Sequence, residues 1–195
     1  RAAEAGDAEA AITGLDAHRL LCAHREGRFG VRGWNARIEM GLTEATGVSH
    51  YAEWYPGRPV LVTANNATLG VWNGDVGVTM RRPDGRLEVA LAASAGPRRL
   101  SVTRLPDAET MHATTVHKAQ GSQASVVTVV MPPDESALLT RELFYTAVTR
   151  AKDQVRVLGT EQSVREAMGR QAVRASGLAD RLRAPRSPRP AEPSC

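Results

Sequence analysis

Apolar positions follow two different rhythms along the chain. At its two ends they recur at helical spacing. Val31, Trp34, Ile38 and Leu42 share one face of a helix expected over residues 31–42. Leu143, Phe144, Ala147, Val148 and Ala151 form a second stripe behind Thr140, whose hydroxyl suits the cap of a helix running to about Lys152. An Ala-rich helix up to Gly14 and a last one carrying Val164, Met168 and Val173 complete the helical set. Between these helices, residues 126–131 are mostly β-branched and do not alternate, as expected of a strand buried on both faces of a parallel sheet. Residues 19–23 and 154–158 are shorter strands of the same kind. Strands alternating with helices predict an α/β fold built on a parallel sheet.

The middle of the chain changes rhythm. Short β-type runs at 58–63, 75–81, 86–91 and 98–102 are separated by Asn65-Asn66, Asn73-Gly74, Pro83-Asp84-Gly85 and Gly96-Pro97. These are turn sequences, so the segment is a small antiparallel unit, and closure into a small barrel would remove most of its free edges. The expected organisation is therefore residues 1–55 as the first part of the α/β domain, 56–106 as an inserted β-barrel, 107–180 as the second part, and 181–195 as a disordered, basic, Pro-rich tail. Trp72 precedes a tight turn in the insertion. A lone Trp in a small barrel is more often core than a stacking surface for a base.

Composition adds modest constraints. The 195 residues carry a formal charge of +4, which weakly favours a polyanionic partner. Only Lys118 and Lys152 among the 25 basic residues are lysine, so the arginine excess reflects coding bias more than phosphate binding. Cys22 and Cys195 supply neither a disulfide framework nor a zinc site, which suits a reducing compartment. No apolar run is long enough to span a membrane and no secretory segment opens the chain, so a cytoplasmic location is expected. The sequence starts without methionine inside a helical pattern, as a piece of something longer would.

Residues 114–131 concentrate the candidate chemistry. Thr114 and Thr115 precede a polar helical turn ending at Gly121, and a capped helix start of this kind offers unpaired backbone N–H groups to a phosphate. His117 and Lys118 add polar donors. Upstream, a strand leads into His24-Arg25-Glu26-Gly27-Arg28-Phe29-Gly30 and then a helix, an order that suits a ligand at the strand's carboxyl end, although Arg25 and Arg28 taken alone read as solvated loop charges. Arg150 stands seven residues after Leu143, close to the apolar stripe, where a charge needs an anionic partner: Glu142, Glu161 or a bound phosphate. The P-loop pattern Gly-x-x-x-x-Gly-Lys-Ser/Thr is absent. Asp134 and Glu135 after the 126–131 strand imitate a Mg²⁺-binding end, but two prolines intervene, so they read as a solvated loop. His112 and His117 lack companions at ligand spacing.

These residues resemble the RecD-type helicases of superfamily 1B, the alpha subunits of bacterial exodeoxyribonuclease V, over residues 20–182. The resemblance rests on Leu-Leu-Cys-Ala-His-Arg-Glu-Gly-Arg-Phe-Gly-Val (20–31), Gly-Arg-Pro-Val (57–60), Leu-Gly-Val-Trp-Asn-Gly-Asp-Val-Gly (69–77), Thr-Val-His-Lys-Ala-Gln-Gly-Ser (115–122), Thr-Arg-Glu-Leu-Phe-Tyr-Thr-Ala-Val-Thr-Arg-Ala (140–151) and Arg-Ala-Ser-Gly-Leu (174–178). It implies the second RecA-like motor domain, with a barrel of the Src-homology-3 type as the insertion. Arg25 matches the arginine of motif IV and Arg150 that of motif VI, both facing the γ-phosphate of ATP, which makes them the catalytic residues. Gly121 and Gln123 join them on the ATP side, with Gln123 near the ribose where the family usually has glutamate. Thr115, His117 and Lys118 match motif V, which contacts single-stranded DNA. ATP and Mg²⁺ would be bound mainly by an upstream motor domain, so the segment alone should not hydrolyse ATP. The implied activity is 5′-to-3′ unwinding in double-strand-break repair with RecB-like and RecC-like partners. A free-standing or relaxase-linked superfamily 1B helicase and a non-catalytic interaction module are the alternatives.

Overall fold

The computed structural model describes residues 1–133 and 136–172. The 181–195 tail, the Arg-Ala-Ser-Gly-Leu segment, Val173, Asp134 and Glu135 lie outside the described residues. Two short helices open the chain, α1 (Ala2–Ala5) and α2 (Ala8–Ala17). Gly6 takes a left-handed conformation between them and the Asp7 carboxylate accepts the Ala10 N–H, so the expected single helix is restarted by a new cap and runs past Gly14. Then follow β1 (His18–Cys22) and α3 (Val31–Thr46).

Four parallel strands form the first sheet in the order β7 (Ala113–Thr115), β1, β8 (Ala124–Val130), β9 (Ala151–Leu158). The 126–131 run supplies its centre. One face of the sheet carries Leu21, Val127 and Val129, packed under α4 (Arg141–Val148) and α5 (Glu161–Gly169) through Leu143, Phe144, Ala147, Val164 and Ala167. The other carries Leu20, Cys22, Ala113 and Val130 beneath Val31, Trp34 and Ile38 of α3. α3 buries none of its residues fully and Ala151 opens β9, but Val31, Trp34 and Ile38 and Leu143, Phe144 and Ala147 pack on the sheet as the 3.6-residue period predicts. Met168 does not, being 53% exposed on the outer face of α5.

The middle of the chain is an antiparallel sheet in the order β5 (Arg98–Ser101), β4 (Leu87–Leu91), β3 (Val76–Arg81), β2 (Pro59–Val62), β6 (Ala108–Thr110). A 3₁₀ turn, Val102–Arg104, links the two outermost strands. Val60, Val62, Val71, Val89, Leu91 and Leu105 make its core. The sheet continues to Thr110, beyond the boundary expected at 106. Trp72 is not part of that core: it is 54% exposed at a turn held by Asp75, whose carboxylate accepts the Trp72 N–H.

α1 and α2 fasten the two sheets together. Ala3, Ala8, Ala11, Ile12 and Leu15 pack on Val78, Met80 and Ala90 of the antiparallel sheet, and α2 also lies against β8. A polar network secures the crossing points. The Tyr55 hydroxyl donates to Glu39 Oε1 at 3.1 Å and meets His112 Nε2 at 2.7 Å, joining α3, the strand-free approach to β2 and the return to β7. Burial, helped by His50 and Arg58, pushes His112 down to about 4, so its ring is neutral there.

Candidate functional site

β7 ends at Thr115 and the chain makes one isolated turn before β8. The Thr115 hydroxyl accepts the Lys118 N–H at 3.2 Å, its carbonyl accepts Ala119 N–H at 3.1 Å, and Gly121 closes the turn at φ 84°. This corrects the expected helix start. Thr114 and Thr115 belong to a strand, with Thr114 buried in the sheet, and a single turn does not align a row of free N–H groups toward an anion. What it does is place side chains on two sides of the loop.

On one side is a cleft of about 640 Å³ between the two sheets. Lys118, Gly121, Gln123 and Arg150 line it, with Leu61 and Val76 of the antiparallel sheet opposite. On the other side His117 lines a separate cavity of about 340 Å³ with Leu138, Leu143 and Thr146. The motif V set Thr115, His117 and Lys118 is thus divided: Thr115 builds the turn, Lys118 faces the cleft and His117 faces away.

Arg150 is not on a helix. α4 stops at Val148 because Thr149 ends the helical ladder, and Arg150 occupies the tight corner before β9, so its expected place on the helical stripe is corrected. The half-buried guanidinium donates to Thr146 O at 3.2 Å, Ser122 O at 3.5 Å and Thr149 Oγ1 at 3.3 Å, all neutral acceptors. Among the described residues no carboxylate pairs with it; Glu161 is engaged with Arg165. A charged fork held by neutral oxygens at a cleft is positioned without being neutralised.

Sequence patterns missed Arg19. It is 7% exposed in β1, lines the same cleft, and donates to Ser122 Oγ at 2.9 Å, with Asp16 Oδ1 at 3.5 Å. Its position in an apolar strand was the available signal, since a charge in such a run must find partners. With Lys118, Arg150 and Lys152 it makes the cleft electropositive, offset by Asp16.

Arg25 sits in the exposed 24–30 loop at the carboxyl end of β1. The loop is closed by Val31 N–H to His24 O and Arg32 N–H to Arg25 O, both at 3.1 Å. Gly30 is required there because a Cβ would run into the Glu26 carbonyl. Arg25 does not line the cleft. It joins the site through Glu109 of β6, whose Oε1 lies 2.5 Å from Arg25 Nη2 and whose Oε2 lies 2.9 Å from Lys118 Nζ. Partial burial alone would raise the Glu109 carboxyl, but the hydrogen bond and charge of Lys118, then Arg25, outweigh it and hold the group below its ordinary value. Cys22 is buried and pushed up to about 12, an inert thiol. Among the described residues no cluster of His, Cys, Asp and Glu suits a metal ion, and no helix is long and apolar enough to cross a membrane.

Residues 110–158, which contain the turn, β8 and the Arg150 corner, match the UvrD-like helicase C-terminal domain. Among solved structures the chain is similar to a Pif1 helicase from Bacteroides, crystallised in complex with ADP-AlF3 and ssDNA, with a TM-score of 0.50 at 13% identity over 86% of this chain and 45% of that one. The parallel sheet with its flanking helices is therefore RecA-like, the fold of this helicase neighbour. The relatives that match along nearly the whole chain are RecD subunits. The chain is 55% identical over 181 residues to the RecBCD enzyme subunit RecD of Mycobacterium tuberculosis, covering 93% of this chain and 31% of that protein. It is likewise 55% identical over 183 residues to the RecD subunit of Mycolicibacterium smegmatis, covering 94% and 32%. The chain spans about a third of the length of these relatives.

Proposed function

We propose that this chain is the C-terminal motor half of an ATP-dependent 5′-to-3′ DNA helicase subunit that acts in double-strand-break repair with RecB-like and RecC-like partners. The observation that carries the proposal is the Arg150 corner: a half-buried guanidinium with only neutral acceptors among the described residues, at an electropositive cleft, in a chain 55% identical to RecD. In this role Arg150 is the arginine finger. ATP would supply the transferring phosphoryl group and Mg²⁺ would neutralise its oxygens, both held mainly by an upstream motor domain. Arg150 then turns its planar fork to the charge that builds on that group, with the guanidinium held in place by the Thr146 and Ser122 carbonyls.

Arg25 serves the same phosphate from the neighbouring loop, while Gly121 and Gln123 shape the nucleotide side of the cleft. Lys118 and the Thr115 turn contact the single-strand backbone, a salt-sensitive and sequence-independent interaction. His117 acts from the far side of that turn. The antiparallel insertion, residues 56–106 extended through β6, is assigned to the Src-homology-3 type. Its strand order and the 3₁₀ turn before its last strand support that assignment.

Single-strand-stimulated ATP hydrolysis and unwinding by the full-length protein test the proposal. Arg150→Ala is expected to lower kcat about 10³-fold or more while leaving DNA affinity within twofold. Unchanged kcat would refute the finger role.

A further inference from the structure

Glu109 bridges two cations that the helicase motifs set apart, and no motif assigns it a role. One carboxylate oxygen takes Arg25 and the other takes Lys118. The three residues come from different parts of the fold. Arg25 belongs to the loop after β1 and Lys118 to the turn after β7, whereas Glu109 pairs in register with Leu61 inside the antiparallel sheet. The cluster is thus a direct electrostatic tie between the inserted sheet and the motor loops.

We propose that Glu109 is an internal counter-anion: it occupies Arg25 and Lys118 when no phosphate is bound, and yields them to a phosphate of either the nucleotide or the DNA backbone. The inference rests on the proposal above that both cations face phosphate. Phosphate is the better ligand for the pair, because it presents more acceptor oxygens and binds a guanidinium in the same forked geometry as a carboxylate. Displacement is easy. The side chains of Arg25, Glu109 and Lys118 are 53%, 40% and 38% exposed, and exposed ion pairs hold weakly. Releasing Glu109 also unties β6 from both loops, so phosphate binding loosens the insertion where it meets the motor sheet.

A carboxylate that merely held the two cations in place would give the opposite result when neutralised, and the sign of the effect decides. In the full-length protein, Glu109→Gln keeps the side chain's size and removes its charge, and Glu109→Asp keeps the charge but shortens its reach. Binding of a fluorescent oligothymidylate and of a slowly hydrolysed ATP analogue is measured separately across a salt series. For at least one ligand, Glu109→Gln is expected to bind about three- to tenfold tighter at low salt and to show a steeper salt dependence, since more counterions leave on binding. Glu109→Asp should fall between it and the parent. A gain confined to the oligonucleotide assigns the displacing phosphate to the strand, and a gain confined to the nucleotide assigns it to ATP. Unchanged or weaker binding of both ligands by Glu109→Gln overturns the proposal, as does tighter binding by Glu109→Gln with Glu109→Asp weaker than the parent. Arg25→Ala and Lys118→Ala run alongside separate the two failures. If neither weakens either ligand, the cations do not face phosphate; if they do and Glu109→Gln does not tighten, only the counter-anion fails.

Discussion

The two arginines matched to helicase motifs stand in opposite electrostatic surroundings. Arg150 is half-buried in a corner and meets only neutral oxygens among the described residues. Arg25 is half exposed in a loop and is already paired with a carboxylate that it shares with Lys118. A finger must be held in place without being neutralised, because charge that develops in the transition state has to find an uncompensated donor. The Arg150 corner meets that condition as it stands, whereas the Arg25 corner meets it only after Glu109 lets go. In the proposed roles, the contrast separates an armed group, one with no carboxylate partner among the described residues, from one armed by ligand.

Three perturbations separate the corners, from large effects to small. Arg150→Ala breaks the armed corner and should produce the largest loss, the roughly 10³-fold fall in kcat given above. Gly30→Ala should disturb the ligand-armed corner alone. The new Cβ meets the Glu26 carbonyl and forces the Arg25 loop to shift, at a cost of about 1–3 kcal/mol in stability by thermal denaturation, with a smaller loss of ATPase. Gly121→Ala is its control: at φ 84° but in open space, it should cost only about 1 kcal/mol. Equal costs for the two substitutions would show that the loop has room to adjust.

The smallest effect concerns pH. Because the Glu109 carboxyl is held below its ordinary value of 4.5, its pairing contributes stability that is present above that pH and is lost as pH falls through the folded-state value. The group is exposed enough for solvent to screen it, so the contribution is about 0.5 kcal/mol or less. Denaturant unfolding at pH 7 and pH 3.5 should show Glu109→Gln slightly less pH-dependent than the parent, and a larger pH dependence in the variant would remove the ion pair from the account.

Much of the fold was legible because its signals are local. The β-branched run around Val127 and Val129, the stripes beginning at Val31 and Leu143, and the turns at Asn73-Gly74 and Asp84-Gly85 each report short-range geometry. The candidate site was proposed mainly through motif resemblance. What escaped depended on where chain ends meet. Ala113–Thr115 is too short to show a period, so its threonines passed for caps. Arg150 looked helical because a stripe does not reveal that Thr149 stops the helix. Trp72 was assigned inward because composition cannot say which side of a turn faces solvent. Glu109 and Arg19 carry no motif at all, and their importance appears only when β6, β1 and the post-β7 turn are brought together.

Trapping of a transition-state mimic tests the central claim most directly. The full-length protein is mixed with ADP, Mg²⁺, aluminium fluoride and single-stranded DNA, and nucleotide retention is compared with that of an ATP analogue resembling the ground state. The parent should retain ADP in the presence of fluoride, whereas Arg150→Ala should lose that retention while binding the ground-state analogue within a fewfold of the parent. Undiminished trapping by Arg150→Ala would contradict the assignment of this corner as the arginine finger of the motor.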